Sequence, residues 1–193
     1  MSGPKTAARE PLAIRAHPLV FAVVLFLASE LMFFASWFAT YYDLRGQNRT
    51  WPPLDVHLNP LESGVGTAIL GLSSLLVLGA IGAIHRDRPA SARAWLGGAI
   101  ACGAAFLAIA IHGWSMNTFG LASHAYGSTF YGMTGFHALH VAAGIVALTY
   151  LALGADRPAF RGEDAAGAEA ISYYWHFVFI VWLGIWATIY FVR

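Results

Sequence analysis

Two kinds of side chain in this sequence could do chemistry in places that water does not reach. Glu30 lies inside "VFAVVLFLASELMFFASWFATYY", and His137 and His140 stand three residues apart in "GFHALH", within another long apolar run. His176 follows in "SYYWHFVFIVW", and His112 closes a third run. Imidazoles one helical turn apart suit a metal or a haem, and they equally suit hydrogen bonds between helices. Haem needs an axial His facing the porphyrin. A metal needs three or four converging ligands, commonly with carboxylates. Glu30 is the one carboxylate at depth, and no ExxH or HxxxH spacing occurs. The pattern therefore favours hydrogen-bonded, structural histidines over metal or haem ligation.

An ionisable residue at mid-membrane costs on the order of 2.5–3.5 kcal/mol on insertion scales, so Glu30 must be neutral, paired or turned into a bundle. A proton-linked or lipid-contacting carboxyl and a purely packing carboxyl fit this position equally well. The geometry of facing helices permits Glu30 and one of the histidines to meet, which would satisfy both. Other chemistries find little support. Cys102 is the single cysteine, which excludes an internal disulfide and CxxC motifs. There is no GxSxG, P-loop or glycine-rich nucleotide fingerprint. Ser29 beside Glu30 is no nucleophile constellation. We identify no catalytic residue, and a net charge of +1 gives no pointer to nucleic acid.

These polar groups need apolar elements to position them. Of 193 residues 58% are hydrophobic and 11% charged, against about 25% charged in ordinary soluble domains. Such a deficit indicates an integral membrane protein. Crossing about 30 Å of hydrocarbon takes roughly 20 helical residues. Five segments qualify: Leu19–Tyr42, Gly64–Ile84, Ala94–Met116, Ser128–Leu153 and Ile171–Val192. The predicted fold is an all-α bundle of five transmembrane helices in one domain, residues 19–193, preceded by a polar tail, residues 1–18. The first apolar run is too long for a signal-peptide core.

Five spans put the ends on opposite sides. Lys5, Arg9, Arg15, Arg86, Arg88, Arg93, Arg157 and Arg161 share the N-terminal side, against Arg45, Arg49 and Arg193 on the other. The positive-inside rule then sets the N-terminus in the cytoplasm and the C-terminus opposite. The third span, "AWLGGAIACGAAFLAIAIHGW", carries small residues on two adjacent faces. Gly98, Ala101, Cys102 and Ala105 are the expected sites of close helix contact. No internal repeat supports a transporter built from inverted halves.

Five blocks carry a family resemblance: "SELMFFASWFATYY", "WPPLDVHLNPLE", "YGSTFY", "GFHALHVAAG" and "YYWHFVFIVWLGIWATIYF". In this order, from about Phe26 to Phe191, they resemble subunit III of the haem–copper cytochrome c oxidases, in the short bacterial form with five helices. The resemblance implies a non-catalytic subunit of a proton-pumping oxidase in a bacterial plasma membrane. Haem and copper would reside in partner subunits, with no redox centre here and with bound phospholipid in a cleft. It implies direct packing on subunit I, with subunit II and a small subunit IV nearby. Cytochrome c or a cytochrome bc complex would be reached through the assembly. Support of proton uptake and of turnover stability would follow. Glu30 matches the family's carbodiimide-reactive carboxyl, His137 its expected partner, and His140 and His176 the same polar lining.

Glu30 and the "WPP…NPLE" loop favour the cytochrome c branch. A quinol-oxidase or nitric-oxide-reductase-associated homologue is the neighbouring alternative. A haem-binding electron carrier using His137, His140 or His176 is the alternative from another class. Two positions depart from the family pattern. Phe179 stands where the last helix usually has Asp, and His112 and Ser115 stand where Gln and Glu are usual. Two carboxylates are thereby missing from the expected polar set.

Overall fold

The computed structural model describes residues 18–157, 160 and 165–192. The polar tail, apart from Pro18, and Arg161 and Arg193 of the charge asymmetry lie outside the described residues. Five helices follow one another: α1 (Pro18–Gln47), α2 (Pro60–His85), α3 (Pro89–Met116), α4 (Ala125–Leu153) and α5 (Ala166–Tyr190). Each is long and apolar enough to cross a membrane, so the predicted all-α, five-span fold is observed. No strand occurs among the described residues.

All five helices start before the predicted spans, while α5 ends at Tyr190, short of the predicted Val192. Hydropathy locates the apolar centre of a span, and at α2 and α4 side-chain caps set where the helix begins. Asn59 caps α2 by accepting from the Leu61 and Glu62 amides at 3.1 and 3.3 Å, with Pro60 at the first helical position. His124 caps α4 through Nδ1, which accepts from the Gly127 amide at 2.8 Å. Between α2 and α3 the chain turns on Asp87, at φ 55°. Asp is among the few non-glycine residues that tolerate this region.

α2 and α3 form the most extensive antiparallel pair; α3 then packs on α4, α4 on α5, and α5 back on α2. α1 lies against α4 and α5 and is the least buried helix, with Phe34 and Tyr41 as its buried residues. On the face carrying the α2–α3 and α4–α5 connections, Arg93 pairs with Asp156, and His85 Nε2 stands 3.3 Å from Glu169 Oε1.

At the centre Trp175 of α5 is wedged between two glycines. A β-carbon at Gly103 would stand 2.9 Å from its ring, and one at Gly144 would stand 2.6 Å from it. Its indole N–H donates to Ser73 Oγ at 3.1 Å, and that hydroxyl donates to the Ala99 carbonyl at 2.8 Å. This relay ties α5, α2 and α3 together in surroundings where an unpaired polar group would be costly.

The small-residue faces expected of α3 need correction. Its buried side is Ala92, Leu96, Ala99, Gly103 and Phe106. Gly98 is half-buried, 3.2 Å (from an added β-carbon) to Leu76, and Cys102 is half-buried. Ala101 and Ala105 are exposed in this chain. α3 carries small residues nearly all round, so composition permits close approach on several faces, and large partners such as Trp175 select one of them.

Candidate functional site

Glu30 and Glu62 form two separate carboxylate–histidine contacts, one at depth and one near the end of the bundle that carries the α1–α2 loop. The first joins α1 to α4. Glu30 Oε2 lies 2.9 Å from His140 Nε2, both side chains largely buried. His140 Nδ1 lies 2.7 Å from the Phe136 carbonyl one turn back. A carbonyl only accepts, so Nδ1 carries a proton. The proton in the Glu30 contact then sits on one partner or the other. Either a protonated Glu30 donates to a neutral imidazole, or an imidazolium donates to a carboxylate. Both states satisfy the contact, and in both the pair has zero net charge. Phe33 and Phe34 flank the imidazole, and the Tyr174 hydroxyl donates to the His140 carbonyl at 3.0 Å. This is a shielded contact that can hold one proton.

The expectation that His137 partners Glu30 is therefore corrected: the partner is His140. His137 sends Nε2 to the Val178 carbonyl of α5 at 3.1 Å and packs between Trp182 and Phe106. Residues i and i+3 differ by about 60° around a helix. That rotation aims His140 at α1 and His137 at α5 and α3. His176 belongs to neither arrangement, for its Nδ1 accompanies its own helix at the Ser172 carbonyl, 2.7 Å away.

The second arrangement was not expected. His112 Nδ1 of α3 stands 2.7 Å from Glu62 Oε1 of α2. The sequence signal was present in "NPLE", whose cap begins α2 where the antiparallel α3 ends. Recognising it required knowing that α2 and α3 are neighbours. The departures from the family pattern also acquire local explanations. Ser115 donates to the His112 carbonyl at 2.7 Å. Phe179 rests on Gly71, where an added β-carbon would meet its ring at 3.2 Å. Among the described residues no group of three or more His, Cys, Asp or Glu is arranged to hold a metal ion.

Comparison with known proteins identifies the family. The family described as Cytochrome c oxidase subunit III matches residues 10–193. The chain belongs to the cytochrome c oxidase subunit III family. It is 40% identical over 179 residues to a probable cytochrome c oxidase subunit 3 of Nocardia farcinica, covering 88% of this chain and 86% of that one. It is 38% identical over 180 residues to the corresponding protein of Corynebacterium diphtheriae, with the same coverage. To that of Thermostichus vulcanus it is 32% identical over 177 residues, covering 90% and 88%. As a subunit III, the chain is an accessory part of an oxidoreductase complex. Its five spans and its family make it a multi-pass protein of a bacterial plasma membrane. Within that family, the Glu30–His140 contact occupies the "SELMFF" and "GFHALH" blocks that carried the resemblance.

Proposed function

We propose that this subunit III works by packing and electrostatics: it seats directly on subunit I, holds phospholipid beside α1, and sustains proton uptake and turnover stability. Subunit II and a small subunit IV complete the surroundings, haem and copper belong to the partners, and cytochrome c or a cytochrome bc complex delivers electrons through the assembly. The observation that carries this reading is the Glu30–His140 pair, a protonatable contact held inside the membrane between the least buried helix and the bundle. The outward side of α1 supports the lipid role, since Phe21, Leu25, Leu31 and Met32 are all exposed and apolar. The described cations support the cytoplasmic N-terminus: Arg86, Arg88, Arg93 and Arg157 share one side and Arg45 and Arg49 the other.

The test is the intact oxidase carrying Glu30→Gln, a substitution that keeps a hydrogen-bond donor facing His140. Assembly, haem content and initial turnover are expected near normal, with a shorter active lifetime during sustained turnover. Loss of haem from the complex, or an unchanged lifetime, refutes the reading.

A further inference from the structure

A cleft of about 110 Å³ lies between α2, α3, α4 and α5, on the side of the bundle that carries the α1–α2 loop. Its mouth is formed by His57, Asn59 and Glu62, and its inner end by Thr134 and His137. His137 is twelve residues into α4, about 18 Å along the helix axis from its start. The Glu62–His112 contact stands at the entrance. The Glu30–His140 contact lies on another side of α4 and is not part of the lining.

Two buried polar atoms of the lining have no protein hydrogen-bond partner: Ser63 Oγ near the mouth and Nδ1 of the 1%-exposed His137 at the floor. Their chemistry defines what fits. His137 Nε2 faces a carbonyl, which only accepts, so it holds the ring proton and leaves Nδ1 as a bare acceptor. The Thr134 hydroxyl donates its proton to the Phe130 carbonyl at 2.7 Å, so it too offers lone pairs only. The floor therefore presents two acceptors one turn apart. The matching ligand is a small molecule that donates two hydrogen bonds, and water does so. A cleft of this volume accommodates several waters, with polar atoms at both ends and the waters partnering one another along the apolar stretch between them. Orphaned polar atoms in a native interior call for such partners.

We propose that this cleft is a hydrated inlet that binds a file of water molecules and opens the buried His137 to proton exchange with the aqueous face at the α1–α2 loop. The ionisable groups around the cleft and the imidazole are His57 and Glu62 with His112 toward the mouth, Tyr190 of α5 in the lining, and His140 with Glu30 one turn further along α4. α5 contributes the Val178 carbonyl and Trp182, and α3 contributes Phe106. The exchange balances through a transient imidazolium: the water beside Nδ1 gives it a proton and is re-protonated along the file from the aqueous face. The same file then carries a proton from Nδ1 back out, restoring the neutral ring.

The test is thiol labelling of the intact complex in permeabilised membranes, in a Cys102→Ser background. A charged, water-soluble methanethiosulfonate reacts with thiolate, which forms where water reaches. Thr134→Cys is expected to label on the order of tenfold or more faster than Val141→Cys, which is buried on α4 outside the lining. His57→Cys serves as the exposed reference. Ala110→Phe, within the lining, is expected to slow labelling of Thr134→Cys while sparing His57→Cys. Equal, slow labelling at 134 and 141 overturns the proposal. So does reaction of Thr134→Cys with an apolar reagent alone, which would mean a dry cleft filled by a hydrocarbon chain. Water-edited solid-state NMR of the histidine-labelled, otherwise unmodified complex gives an independent reading. The His137 ring is expected to take up magnetisation from water, and a ring that takes up none overturns the proposal.

Discussion

Replacing Gly144 by Ala adds one methyl group against the most enclosed side chain of the bundle. The new β-carbon would stand 2.6 Å from Cε3 and Cζ3 of Trp175. The ring has little room to move aside, because Gly103 meets its adjoining Cη2–Cζ2 edge with 2.9 Å for an added β-carbon, and its N–H is committed to Ser73. Overpacking of this kind costs about 1–3 kcal/mol. It shifts an unfolding equilibrium by roughly fivefold to 150-fold. The assay is SDS-driven unfolding of the chain in mixed micelles, with Gly97→Ala as the control, because nothing lies within 4 Å of a β-carbon there. Gly97→Ala is expected to be neutral or slightly stabilising, since Ala is the better helix former. Trp175→Phe removes the ring atoms that collide, so the double variant Gly144→Ala, Trp175→Phe is expected to lose much less than the two single losses added together. A Gly144→Ala chain as stable as Gly97→Ala, or strict additivity in the double variant, refutes the wedge.

Ser73→Ala strands the buried Trp175 N–H and is expected to cost about 1–3 kcal/mol in the same assay. Wild-type stability would mean that the relay contributes nothing. Glu30→Ala leaves His140 Nε2 unpaired and is expected to destabilise the α1 contact by a similar ~1–3 kcal/mol. Protease accessibility of the α1–α2 loop measures it, and Glu30→Gln is expected to retain protection. His112→Ala removes a pair whose histidine is 64% exposed, so the expected loss is below about 1 kcal/mol. A larger loss would make that contact a structural clamp. Ala101→Leu is expected to leave the chain's own unfolding unchanged, because Ala101 is exposed, whereas Gly98→Leu, set against Leu76, is expected to weaken it.

Burial inside the bundle also explains how far these residues could be read in advance. Five long apolar runs separated by polar connections can be satisfied in lipid only as helices, because the backbone must bond within its own segment. The five spans, their order and the depth of Glu30, His137 and His140 therefore follow from one-dimensional patterning. The family blocks in "SELMFF" and "GFHALH" follow from it as well. Even the overrun of α2 to Pro60 was written in "NPLE", since Asn followed by Pro is a capping signal that hydropathy ignores.

Which residue each polar group meets was a different kind of question. Glu30 chooses His140 over His137 because of a rotation of about 60° about α4. No local preference sets that rotation; it depends on how α4 sits between α1 and α5. The same holds for α3. Its small residues permit close contact on several faces, and the bulk of Trp175 against Gly103 and Gly144 selects one. Glu62 and His112, fifty residues apart, meet because α2 and α3 run antiparallel. Composition and periodicity act along the chain and determine how many helices form and which polar groups lie at their apolar centres. The partners of those groups are decided by interhelical packing, where a small turn of one cylinder against its neighbours redirects every side chain it carries.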